Sequence, residues 1–200
     1  MRKIILDGKS MTIEDIMSIG KIPIEITISK SARKLMAKSR GYVESILMSD
    51  DSVYGINTGF GSLSNVKIDS SQLQQLQRNL ILSHACGIGP NMNPVTSLRM
   101  LAIRANSLAV GVSGIRPEVV DTMLDLVNSG YAPQIPSLGS LGASGDLAPL
   151  AHMTMALIGE GQFMAKHGEE WVEIDSVTVF ERIGKEPVIL SAKEGLSLIN

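Results

Sequence analysis

The sequence predicts a mainly helical chain with a little β structure near its start and around residue 165. Three observations carry this. Apolar residues recur at helical spacing behind N-cap or Asx-Pro signals along much of the chain. Period-two alternation of β-branched residues is confined to Ile22-Pro23-Ile24-Glu25-Ile26-Thr27-Ile28. A turn at Lys166-His167-Gly168-Glu169 separates two short apolar segments within residues 162–174, the pattern of a hairpin.

Taken in order, residues 22–28 read as a strand, with Pro23 favouring an edge. Ser29 then fits an N-cap for a helix to about Met48, with Ala32, Leu35, Met36, Val43, Ile46 and Leu47 on its apolar side. Residues 53–61 hold three glycines, an Asn and a Thr, so they predict a loop with tight turns. Asp69 or Ser70 can cap a helix with Leu73, Leu76, Leu80 and His84 on one stripe, ended by Gly87. Asn93-Pro94 opens a helix carrying Leu98, Leu101, Ala105, Leu108 and Val112. Pro117 opens the next, which buries Val120, Met123, Leu124 and Val127 and has Gly130 at C′. Residues 131–145 read as a loop dense in Pro and Gly; Asp146 then caps a helix with Leu150, Thr154, Leu157 and Ile158. Ser191-Ala192-Lys193-Glu194 has the form of a capping box that starts a last helix.

Of 200 residues, 44% are hydrophobic and 19% charged, a globular balance. Eighteen basic against 20 acidic side chains leave a net charge of −2, so no basic excess draws the chain to nucleic acid or an anionic membrane. The apolar run in MRKIILDGKS is too short for a signal peptide, and no stretch reaches the ~20 residues of a membrane helix. Cys86 stands alone, which excludes an intrachain disulfide framework and fits a cytoplasmic home. Cys86 itself reads as a small buried hydrophobe. His84, Cys86, His152 and His167 have no ligand spacing that argues for a metal.

The unusual chemistry lies at Ala143-Ser144-Gly145. Three small residues let a backbone fold back without Cβ collisions. If the Gly145 amide nitrogen attacks the Ala143 carbonyl carbon, a five-membered ring closes. Loss of two waters, one carrying the Ser144 hydroxyl oxygen, leaves a 4-methylidene-imidazol-5-one, an electrophile that no ordinary side chain supplies. The other reading of the tripeptide is a Gly-rich helix start with Ser144 as a plain cap.

Five collinear stretches decide between them: Tyr54-Gly-Ile-Asn-Thr-Gly-Phe-Gly61, Leu76-Gln-Arg-Asn-Leu-Ile-Leu-Ser-His-Ala85, Ser113-Gly-Ile-Arg116, residues 139–152 (GSLGASGDLAPLAH) and Glu194-Gly-Leu-Ser-Leu-Ile-Asn200. In these the chain resembles the aromatic amino-acid ammonia-lyases. The resemblance implies a helical lyase fold of the fumarase/aspartase kind with a small mixed α/β N-terminal region. It divides the chain into residues 1–110, with the Tyr loop and the substrate-selective helix, and 111–200, the start of a central helical domain. It also implies that the chain stops before the central long-helix bundle is complete, and hence is inactive alone. The implied cofactor is the methylidene-imidazolone made autocatalytically from Ala143, Ser144 and Gly145, with no external cofactor and no metal. Tyr54 would be the base that takes the β-proton; its bland alternative is a loop tyrosine half-buried against the core. Asn200 would stabilise charge near the imidazolone oxygen. Gly61 would let its loop approach the substrate. The pair Ser83-His84 is similar to that of histidine-selective members, against a plain core histidine as the other reading of His84. An imidazole there can hydrogen-bond a polar substrate ring. The implied reaction is elimination of ammonia from L-histidine to urocanate, the first step of histidine degradation, in a homotetramer with shared sites. The competing implications are a phenylalanine or tyrosine ammonia-lyase or aminomutase, and an inactive fragment. Arg104 and Arg116 stand as further candidates to bind a carboxylate, with ordinary pairing the simpler role for Arg104.

Overall fold

Two short strands, the second alternating β-branched and polar residues, form the first layer. In a computed structural model, which describes residues 1–49, 51–61, 64, 66–141 and 145–200, β1 (Arg2–Leu6) runs parallel to β2 (Ile24–Ile28), with Ile4 opposite Ile26. Between them lies α1 (Ile13–Ser18), closed by a Thr12–Asp15 capping box. Neither β1 nor α1 was expected. The alternation that buries Ile4 and Leu6 is only five residues long, and a parallel partner twenty residues on leaves no local trace.

The N-cap signals fare better. α2 (Lys30–Leu47) starts where Ser29 Oγ accepts the Ala32 amide at 3.1 Å. It buries Ala32, Met36, Arg40, Val43 and Ile46, while Leu35 at the stripe's edge is exposed. Asp69 caps a single 3₁₀ turn at Ser70–Gln72, which leads into α3 (Leu73–His84). After β3 (Ile88–Asn91), Asn93 Oδ1 caps α4 (Pro94–Leu108). That helix ends before Val112, which is exposed rather than on the expected apolar stripe. α5 (Pro117–Asn128) follows, and Gly130 stands at C′ with φ +74°.

The expected loop at residues 131–145 contains two short strands, β4 (Ala132–Pro133) and β5 (Pro136–Leu138). Prolines hid them, since Pro donates no ladder bond and marks an edge. β5 pairs antiparallel with β3. β4 joins the predicted hairpin, β6 (Gln162–His167) and β7 (Glu170–Asp175), in the order β4-β6-β7. Between them in sequence comes α6 (Leu147–Leu157). α7 (Ser176–Ile183), also unexpected, is capped by Asp175 and closed by left-handed Gly184. Its Phe180 meets Phe163 of β6 edge to face at 6.5 Å. α8 (Glu194–Ile199) comes last. One apolar cluster runs through the described chain from Ile4 to Ile199, with Leu101, Ala102, Ala105, Val120 and Met123 fully buried at its centre. No helix among the described residues is long and apolar enough to cross a membrane.

Candidate active site

The glycine-rich loop is built around Asn57. This buried side chain accepts the Val53 amide at Oδ1 (2.8 Å) and donates from Nδ2 to the Asp51 carbonyl (2.8 Å). Its backbone carbonyl accepts the Ile68 amide at 2.9 Å, and Thr58 bridges to Lys67. The loop's base is thereby pinned while Tyr54 projects, 57% exposed, with its ring edge-on to Phe60 at 6.0 Å. Gly55 explains how the loop lies against α8. With φ +75°, a Cβ there would meet Leu196 Cδ2 at 2.6 Å. Gly61 also has positive φ, +58°, but open space where a Cβ would stand, so its glycine answers to backbone conformation rather than to packing.

His84 closes α3, half-buried, beside exposed Ser83. Its Nδ1 lies 2.8 Å from the Leu80 carbonyl and 3.1 Å from Ser83 Oγ. A carbonyl only accepts, so Nδ1 carries a proton, the tautomer in which Nε2 is the ring's acceptor. Cys86, two residues on, is exposed, which corrects the expectation of a buried hydrophobe: the helix has ended and the chain is leaving the core. At Gly87 two elements meet. Its amide donates to His152 Nε2 at 3.0 Å, and a Cβ on Gly87 would meet that same atom at 3.0 Å. A Cβ on Gly139 would fall 2.9 Å from Gly87 Cα. Two absent side chains and the β3–β5 pairing thus bring the His84 end of α3 against the start of the 139–145 segment.

Of the Ala-Ser-Gly tripeptide, Ala143 and Ser144 lie outside the described residues. Gly145 has φ +84°, and no described residue beyond its chain neighbours comes within 4 Å of where a Cβ would be. Asp146 precedes α6 as expected, yet makes no cap bond. Its Oδ1 accepts instead from Ser140 Oγ at 2.8 Å, tying the two ends of the segment together.

Asn200 follows α8, exposed, its amide donating to the Leu196 carbonyl at 3.0 Å. Fully buried Glu194 heads this helix. It receives Arg116 Nε at 2.8 Å and Nη2 at 2.7 Å, the Arg116 amide at 3.0 Å and the Ser191 amide at 2.7 Å. The last bond is half of the predicted capping box; in place of the other half the Glu194 amide donates to the Ser191 carbonyl at 3.0 Å, and the helix starts after Lys193, which is left-handed at φ +70°. Arg116 is therefore committed to Glu194, which raises its pKa above the ordinary guanidinium value, and does not serve as a free carboxylate binder. Arg104 donates from Nη2 to the Ser197 carbonyl and to the Asn200 carbonyl, the latter at 2.7 Å. Gln77, buried in α3, accepts the Gly195 amide at 2.9 Å.

The elements carrying Tyr54, His84, Gly145 and Asn200 thus interlock: the Tyr loop on α8, α8 on α3, and the end of α3 on the segment before α6. Sequence reasoning missed His152, Gln77 and the paired role of Glu194. The capping-box spacing flagged Glu194 only as a local partner, and nothing in the sequence marks a Gln or His as the far end of a backbone contact.

Burial holds the His152 pKa below its ordinary 6.5, in keeping with a neutral ring accepting the Gly87 N–H. The unfolded chain then binds the proton first. The stability due to His152 is full above pH 6.5 and is lost as pH falls through the lower folded-state value. Urea unfolding between pH 7 and 5 is expected to show a steeper loss for the native chain than for His152→Gln. Parallel pH profiles for the two would remove His152 from this role.

The aromatic amino acid lyase profile matches residues 11–200. The histidine ammonia-lyase of Shouchella clausii is 47% identical over 197 residues, covering 98% of this chain and 39% of that protein. The crystal structure of histidine ammonia-lyase from Trypanosoma cruzi superposes with a TM-score of 0.89 at 38% identity, over 99% of this chain and 37% of that one. The ergothioneine-degrading ergothionase of Treponema denticola superposes with a TM-score of 0.90 at 30% identity, over 98% of this chain and 39% of that one. The chain therefore spans about two fifths of the relatives it matches. With the profile matched along nearly all of its residues, the chain belongs to the aromatic amino acid lyase family.

Proposed function

We propose that the protein carrying these residues is a carbon–nitrogen lyase that eliminates ammonia from L-histidine to give urocanate. The observation that carries the substrate is His84. Its Nδ1–H is spent on the Leu80 carbonyl, which leaves Nε2 to accept the N–H of a substrate imidazole. A phenyl ring offers no such donor and would leave Nε2 unpaired. The 47% identity to a histidine ammonia-lyase supports the same choice.

Ala143, Ser144 and Gly145 would form the methylidene-imidazolone, which supplies an electrophilic carbon to the substrate. The left-handed backbone of Gly145, which a residue with a side chain rarely adopts, fits a glycine at that ring position. Tyr54, at the exposed tip of a loop pinned by Asn57, takes the β-proton on its phenolic oxygen. His84, with Ser83 beside it, orients the ring, Gly61 keeps the loop's turn open towards the substrate, and Asn200 donates from its side-chain amide to charge developing on the imidazolone oxygen. Residues 1–110 contribute base and specificity, and residues 111–200 the electrophile. We assign the protein to the cytoplasm as a homotetramer with shared sites; the exposed Leu141, Ile88, Leu138 and Ile103 are side chains a second subunit would cover.

Intact mass spectrometry tests the electrophile. The active protein is expected to weigh two waters less than its sequence, and Ser144→Ala to restore the full mass and abolish ammonia release. An active protein of unmodified mass would remove the proposal's central piece. Release of ammonia from tyrosine or phenylalanine but not from histidine would overturn the substrate.

A further inference from the structure

The last turn of a helix opens more readily than its middle, and His84 stands in the last turn of α3. Close to it the backbone is held by the Ala85 amide on the Ile81 carbonyl at 3.0 Å and the Cys86 amide on the His84 carbonyl at 2.9 Å. Both bonds are local, and neither sets where the end of α3 lies against the rest of the molecule. Beyond His84, the first bond to another element comes from the Gly87 amide, which donates to Nε2 of His152 at 3.0 Å.

His152 belongs to the helix that follows the tripeptide. α6 begins at Leu147, just after Gly145 and Asp146, and reads LAPLAHMTMAL, so His152 and Thr154 are its polar side chains. Thr154 Oγ1 donates to the Leu150 carbonyl of its own helix at 2.8 Å. His152 instead reaches out of α6, and among the described residues the Gly87 amide is the hydrogen-bond partner of its ring. An apolar ring would fill the same volume on this apolar helix, but would leave the half-buried Gly87 N–H without its acceptor. What the imidazole adds is therefore the bond itself. The fit around that bond is tight. A Cβ on Gly87 would stand 3.0 Å from His152 Nε2 and 3.2 Å from the Leu138 carbonyl, and a Cβ on Gly139 would stand 3.5 Å from the Ala148 Cβ. Ala148 and His152, one helical turn apart, thus face the bare backbones of Gly139 and Gly87 together.

We infer that His152 is a positioning residue for His84: by accepting the Gly87 amide it ties the end of the substrate-selective helix to the helix that follows the tripeptide, and so fixes where the His84 imidazole meets the substrate ring. The inference rests on the role of His84 proposed above and adds what holds that ring in place. A bond to the substrate's ring is remote from the bonds that break, so it is made equally in the ground and transition states. Loosening it raises KM and leaves kcat nearly unchanged. His152 therefore acts on substrate affinity rather than on turnover.

The test uses the intact enzyme with His152→Phe, which keeps a ring and removes the acceptor, and His152→Gln, whose side-chain oxygen can stand where Nε2 stood. His152→Phe is expected to raise the KM for histidine by about 3- to 10-fold, the worth of one hydrogen bond, with kcat changed by less than about 3-fold. His152→Gln should return KM to within about 2-fold of wild type. His152→Leu takes the place of the phenylalanine variant should that one fail to fold. The two-water mass deficit should survive in His152→Phe. In a His84→Leu background the same substitution should change KM by less than about 2-fold, because one residue works through the other. An unchanged KM in His152→Phe, a rise that glutamine does not repair, or an equal rise in the His84→Leu background overturns the inference. So does loss of the mass deficit, which would place His152 with the tripeptide rather than with His84. Amide hydrogen exchange at Gly87 needs no substrate. It should quicken by about 10-fold or more in His152→Phe and not in His152→Gln; unchanged protection in His152→Phe overturns the inference whichever amino acid the enzyme acts on. Quickened exchange in an enzyme that releases no ammonia from histidine overturns the functional reading and leaves the tie between the two helices in place.

Discussion

Tyr54→Phe is expected to lower the turnover of histidine by about 10²- to 10⁴-fold, the range for loss of a positioned general base. The substitution is chosen because it removes one oxygen and little else. Tyr54 is held by the backbone of its loop, by the Asn57 bonds beneath it, and by the edge contact of its ring with Phe60. A phenylalanine keeps that ring contact, and the exposed hydroxyl has no hydrogen bond to a described residue to lose. Folding stability should therefore stay within about 0.5 kcal/mol. The KM for histidine should change far less than kcat, because the β-proton moves only in the transition state. Stopped ammonia release with an intact two-water mass deficit would place the defect at proton removal rather than at ring formation. Turnover within about 3-fold of wild type would exclude Tyr54 as the base.

How much of this was legible beforehand depended on whether the signal was local. The helices that begin at Ser29, Asn93-Pro94 and Pro117 declared themselves, since an N-cap or a proline and a 3.6-residue stripe are both written within one or two turns. Strand β1 and the strands inside residues 131–145 did not, because each is two to five residues long and owes its existence to a partner distant in sequence. The candidate site divides in the same way. The composition of residues 53–61 and of the Ala-Ser-Gly tripeptide marks chemistry by residue type alone. That His84 stands beside the segment carrying the tripeptide follows instead from the bare backbones of Gly87 and Gly139 and from the ring of His152, and no periodicity encodes such a contact. Arg116 was left open between binding a carboxylate and ordinary pairing, and no local signal could choose, because its partner is a buried glutamate 78 residues later that accepts from its Nε and Nη2.

That buried pair is the structural element whose disruption should cost the fold most. Arg116→Met is expected to destabilise the chain by about 3–5 kcal/mol, because it leaves Glu194 as an uncompensated charge with no solvent exposure. Arg40 Nη1, at 3.9 Å from Glu194, is the remaining cation nearby. Arg40 already donates from Nε to the Glu44 carboxylate and from Nη1 to the Ala192 carbonyl, so it softens the loss without replacing a bidentate partner. Glu194→Gln should cost less, about 2–3 kcal/mol. The amide oxygen can still accept the Ser191 amide, and the Arg116 side chain, 35% exposed, recovers part of its hydration. At about 2–4 °C per kcal/mol for a chain of this size, these losses amount to roughly 6–20 °C and 4–12 °C in Tm. The double variant Arg116→Met/Glu194→Gln should be more stable than Arg116→Met alone, since no buried charge is then left unpaired. Urea unfolding of the four proteins measures this directly. An additive result would mean that Glu194 draws its stabilisation from Arg40 and the backbone amides, and that Arg116 is not what anchors the start of α8.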